Sequence, residues 1–91
     1  MQIELSTYQA MQTVYATFDA AKDNYGLASR AERLPVAEMY LGIAKELTGV
    51  TVILVNLLSE NKYYVDQLQQ QRRRAEYHVM RLKQSETKAD Q

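Results

Sequence analysis

The sequence predicts an all-α protein: an antiparallel helical hairpin or three-helix bundle with coiled-coil-like packing, expected to self-associate. Three observations point there. An apolar stripe keeps one spacing for nearly half the chain. Val36, Tyr40, Ile43, Leu47, Val50, Leu54 and Leu57 follow at alternating steps of four and three, and the count continues through Asn61, Tyr64, Leu68, Gln71, Ala75, His78 and Leu82. That rhythm sets one side of a helix against a partner helix. Helix start and stop residues divide the chain into segments of helical length. Finally, the β-branched run from Thr48 to Val55 has strand propensity but no second strand to pair with.

Met1, Ile3 and Leu5 alternate with Gln2 and Glu4, a pattern open to a short strand. Ser6-Thr7-Tyr8-Gln9 then fits a capping box, in which the Ser6 hydroxyl and the Gln9 amide satisfy free backbone donors. Tyr8, Met11, Tyr15, Phe18 and Tyr25 fall on one helical face, interrupted by Lys22. Gly26 is a good stop, because glycine takes the left-handed conformation cheaply. The first helix is therefore expected at about residues 6–25.

Ser29-Arg30-Ala31-Glu32 is a second possible capping box. Pro35, the only proline, suits the first turn of a helix and disfavours helical backbone at Leu34. The second helix is expected at about 35–58. Gly42 and Gly49 each cost it roughly 1 kcal/mol relative to alanine. They lie seven apart on one face, as a notch for another backbone or as tolerated weak spots. Ser59-Glu60-Asn61 offers a turn into a third helix at about 61–86; without it, residues 35–86 would form one continuous helix. The end, residues 87–91, reads as a polar frayed tail.

The expected core of the second helix is Leu47, Val50, Leu54 and Leu57, each contributing roughly 1.5–3 kcal/mol if fully buried. A charge at Leu54 is expected to dissolve the assembly. Ninety-one residues make one domain with a modest core, which a partner subunit would help to complete.

The formal net charge is zero, so global charge recruits neither nucleic acid nor an anionic surface. The zero hides an asymmetry. Residues 1–60 hold four basic and seven acidic side chains, and residues 61–91 hold seven basic and four acidic. The halves attract each other on folding back, or the basic end faces a partner. There is no cysteine, which excludes disulfides, thiolate catalysis and thiolate metal sites. The N-terminus lacks the basic start and apolar block of a signal peptide. The apolar run Val50–Leu58 is too short to span a bilayer. The chain is expected to be cytoplasmic and free of the membrane.

Arg72-Arg73-Arg74 is the obvious nucleic-acid candidate. Consecutive helical residues point about 100° apart, so the triplet is not one patch, and Glu76 can pair with Arg72 and Arg73. Arg74, Arg81 and Lys88 share a stripe with Tyr77 beside it, a possible contact for nucleic acid or an acidic partner. Tyr8, Tyr15, Tyr25, Tyr40 and Tyr64 sit on the expected buried stripes. A phenol needs its ring dry and its hydroxyl satisfied, which suits a protein interface. His78 is the only histidine, so no histidine pair can bind metal; it reads as a hydrogen-bonded seam residue. With Asn61 and Gln71 it can set helix register. No catalytic constellation, metal site or cofactor is expected.

The expected function is thus a non-enzymatic protein–protein interaction module acting through a helical face. In size and lack of motifs the chain is similar to the small accessory proteins of phages and other mobile elements, which inhibit or redirect host machinery; no residue roles carry over. The alternative is a nucleic-acid-binding protein using the basic C-terminal helix.

Overall fold

The first helix begins earlier and ends later than its capping signals suggest. In the computed structural model, α1 spans Gln2–Arg30, α2 spans Leu34–Leu57 and α3 spans Tyr63–Asp90. The structure describes residues 2–58 and 62–90, with side chains for residues 8–58 and 62–86. All three helices pack against one another, and no strand occurs among the described residues. Residues 2–5 are helical, so neither a short strand nor a start at Ser6 forms. Gly26 does not stop α1, because tertiary packing overrides its propensity. Two residues on, Ala28 is fully buried, and that burial holds the extra turn. Ser29 is no cap; its hydroxyl donates to the Tyr25 carbonyl at 2.8 Å, inside the helix.

Arg33, with extended backbone, precedes α2, and the Ala37 amide donates to its carbonyl at 3.0 Å. Leu34 is helical despite the proline after it. Helix α2 ends with the Leu58 amide on the Leu54 carbonyl. The turn expected at Ser59-Glu60-Asn61 lies outside the described residues, as does the Asn61 seam position. Since α2 and α3 are separate and touch each other, residues 35–86 are not one helix. Helix α3 continues to Asp90, so the expected tail from residue 87 is helical backbone.

The seam of α2 corrects the sequence reading. Its buried residues are Ala37, Leu41, Ala44, Thr48, Thr51 and Val55, one position later than the stripe of large aliphatics. Of the expected core, Leu47 and Leu54 are half-buried, Val50 is 44% exposed and Leu57 is 75% exposed. The reason is size. Alanine and threonine let three helices approach closely, and Ala21 and Ala28 of α1 and Ala75 of α3 meet them in kind. In α1 the buried positions are Val14, Ala21, Tyr25 and Ala28, with Phe18 packed against the core. This register leaves Lys22 outside. In α3 they are Leu68, Ala75 and Val79.

The molecule measures 64 × 18 × 15 Å. That exceeds the roughly 43 Å of the 29-residue α1, so the helices are staggered. Thr51 lies beside Thr17, which leaves the start of α1 projecting past the end of α2. His78 lies beside Ala31, which leaves the end of α3 projecting at the opposite pole.

Candidate docking surface

Two polar layers fix how α1 meets α2. Thr48 Oγ1 donates to the Ala44 carbonyl at 2.8 Å, so the Tyr25 hydroxyl, 2.7 Å away, donates to Thr48. Burial pushes the Tyr25 phenol above its ordinary range, with the Thr48 hydrogen bond partly opposing it. Thr51 Oγ1 lies 2.7 Å from Thr17 Oγ1 and 2.9 Å from the Leu47 carbonyl. No buried side-chain polar atom among the described residues lacks a partner.

On α3, His78 Nε2–H donates to the Ala31 carbonyl at 2.7 Å, tying the helix to the connection between α1 and α2. Glu76 pairs with Arg72 at 3.2 Å and with Lys45 of α2 at 3.3 Å. These ions are two-fifths exposed, so each pair is worth about 0–1 kcal/mol.

The five tyrosines expected at an interface do not form one surface. Tyr25 is fully buried and so unavailable to a partner. Tyr40 packs against the core. Tyr64 is the centre of an aromatic cluster, edge-on to Tyr15 at 5.8 Å, Phe18 at 5.1 Å and Tyr63 at 5.5 Å. Tyr15 belongs to that cluster yet is exposed, and Tyr8 is exposed on the projecting end of α1.

Arg74, Tyr77 and Arg81 are exposed on α3, and the Arg81 guanidinium lies 5.9 Å from the Tyr77 ring centroid. Tyr77, His78, Arg81, Leu82 and Ser85 line a shallow hollow of about 430 Å³. The Lys88 side chain lies outside the described residues.

One exposed apolar feature is not separable from the core by spacing alone. Val36, Met39, Ile43, Val50, Ile53 and Leu57 are 40–75% exposed, at steps of three and four interrupted only by Glu46. They form a second stripe on the outside of α2. Gly42 and Gly49 lie beside it, exposed, with nothing within 4 Å of an added Cβ. Met39 and Ile53 are new to the site; the others had been assigned inward. Helix α2 is also long and apolar enough, by length and composition, to cross a membrane, which the shorter run Val50–Leu58 did not indicate. Glu38, Lys45 and Glu46 lie within it.

Among the described residues, no group of three or more His, Cys, Asp or Glu is placed to hold a metal ion. The fold defines the class: three mutually packed helices with one apolar helix face turned outward. Comparison with protein families, curated proteins and solved structures finds no match for this chain.

Proposed function

We propose that this chain is a non-enzymatic protein-binding module that docks the outer face of α2 onto another polypeptide. The observation that carries this is the unpartnered stripe Val36, Met39, Ile43, Val50, Ile53 and Leu57. An exposed apolar stripe on the outside of a small helix bundle marks an interaction site. Its polar flanks support the same reading, since interfaces place an apolar centre within a polar rim. Exposed Tyr8 and Tyr15 extend the repertoire toward the projecting end of α1. Acting as an inhibitor or adaptor of host machinery fits this mode of action.

The test is a pull-down from nuclease-treated lysate of the source organism or its host, comparing the wild type with Ile53→Asp. One dominant stoichiometric protein, lost with the variant, is the expected result. Recovery of nothing, or of the same proteins by both forms, contradicts the proposal.

A second reading rests on Arg74, Tyr77 and Arg81 lying exposed and together on α3. A guanidinium beside an aromatic ring suits a nucleic-acid backbone with a stacked base. Three cations supply little phosphate contact, which ranks it second. Arg74→Glu with Arg81→Glu abolishes low-salt DNA or RNA binding if this reading holds. Unchanged binding, or none in the wild type, removes it.

A further inference from the structure

We propose that the hollow between α1 and α3 lined by Lys22, Gly26, Arg30 and Gln71 binds the phosphate group of a small organic monoester. Among the described residues, α1 and α3 alone line it, so it is independent of the docking face on α2.

Three departures from the helical pattern meet there. Lys22 interrupts the apolar stripe of α1, Gln71 interrupts that of α3, and Gly26 stands inside a helix. A charge takes the place of a packed hydrocarbon, an amide takes a seam position, and glycine forfeits helix stability relative to alanine. With Asp23 and Leu27 these residues surround about 460 Å³, a size typical of small-molecule sites.

Gly26 has a specific steric partner. The Arg30 guanidinium, one turn on, folds back over it. Nη1 lies 3.3 Å from where a Cβ would stand, and Cζ and Nη2 lie at 3.8 Å. Glycine therefore seats the guanidinium against bare helix backbone. Lys22 is one turn before Gly26, so two cations flank the position that has no side chain. The ion pairs among the described residues are those of Glu76 with Lys45 and Arg72, and neither Lys22 nor Arg30 takes part in one. Arg30 also lies in the last turn of α1, where a cation complements the helix dipole. That role needs the charge but not the glycine.

The chemistry selects the ligand. A guanidinium fork holds two oxygens of an oxyanion, and an ammonium adds a point charge. A phosphate monoester is close to doubly negative at neutral pH and matches both cations. Gln71 offers an amide N–H from the other helix. Asp23 is the one carboxylate in the lining. It leaves a small positive surplus, which disfavours a polyanionic strand, and its oxygens can accept from a hydroxyl of the ester's organic part. The space exceeds what a lone phosphate fills, and Leu27 supplies an apolar wall for the remainder. Both cations are exposed and screened by water and salt, which sets the expected Kd at about 1 mM.

The experiment is an amide-resolved NMR titration of the full chain at constant low ionic strength, with adenosine monophosphate, adenosine and inorganic phosphate as probes. Adenosine monophosphate should shift the amides from Lys22 to Arg30 and that of Gln71, and the shifts should saturate. Adenosine should not shift them, and inorganic phosphate should do so with several-fold weaker affinity. Arg30→Gln should weaken binding roughly tenfold. Arg30→Lys should weaken it several-fold although the charge at the helix end is kept. Gly26→Ala should raise Tm, because alanine is the better helix former and only the end of a flexible side chain opposes it. The same variant should weaken binding several-fold, because its methyl displaces the guanidinium. A merely structural glycine would not separate the two readouts in this way. Arg81→Gln, on the other basic surface, should leave binding unchanged.

Shifts that stay linear to the highest concentration, or that centre on Arg74 and Arg81, overturn the proposal. So does a Gly26→Ala chain that binds as tightly as the wild type. Equal affinity for inorganic phosphate would overturn the organic part of the assignment and make the hollow a site for free phosphate.

Discussion

Tyr25 is the residue on which the α1–α2 contact is most sharply defined. Its ring is fully buried, and its hydroxyl donates to Thr48, which in turn donates to Ala44. Tyr25→Phe deletes one neutral hydrogen bond while Thr48 keeps its carbonyl acceptor, so about 1 kcal/mol should be lost at pH 7, read from denaturant melts. Burial also pushes the phenol above its ordinary value of 10.0, because it disfavours the phenolate. A raised folded pKa leaves the stabilisation whole below the unfolded value, and it is lost as pH rises through the folded value. Ionisation of this group should therefore leave stability unchanged around neutral pH and lower it in the alkaline range above 10. Melts repeated across that range should fall less steeply for Tyr25→Phe than for the wild type. Equal slopes would mean that Tyr25 is not the group resisting ionisation.

Helix α2 separates what periodicity conveys from what it does not. Two stripes run along it at the same three-four spacing. One is Ala37, Leu41, Ala44, Thr48, Thr51 and Val55, and the other carries most of the larger side chains. Spacing identifies a helix but not which face meets its neighbours, and choosing the bulkier side chains for the core put it one residue out of phase. Close packing of three helices places the smaller ones inward, in the cluster that also holds Ala21, Ala28 and Ala75. The three-helix arrangement, the break before Pro35 and the α3 seam positions Leu68 and Ala75 were legible, because spacing and turn signals agree there. The reach of α1 past Gly26 was not, since burial of Ala28 acts through space. For the docking surface, the basic stripe was readable, but the free face of α2 required the structure. Stability measured on the monomer tests this assignment. Ala44→Leu should cost about 1–3 kcal/mol by overpacking, whereas Leu57→Ser should stay within about 0.5 kcal/mol. The reverse order would restore the large-residue core. Gly42→Ala should add roughly 1 kcal/mol to the monomer by helix propensity alone.

At the scale of the whole molecule, the small-residue core and the apolar outer face belong to one compromise. Much of the core is alanine, so close packing buries little apolar area per residue, while the larger aliphatics of α2 remain partly in water. A chain built this way gains stability when its outer face is covered, and mass action makes that gain depend on concentration. The size of the effect follows from the chain length. For 91 residues, the unfolding entropy is about 190 cal/mol/K per chain, or roughly 380 cal/mol/K for two chains. If two copies pair through that face, a tenfold rise in concentration should stabilise the pair by about 1.4 kcal/mol against two unfolded chains and raise Tm by about 4 °C. Ile53→Asp, a change on that exposed face, should show a Tm independent of concentration. Calorimetry at three concentrations spanning two decades distinguishes the cases. A wild-type Tm that does not move across that range would mean that the three helices alone hold the fold and that the outer face of α2 adds nothing to it.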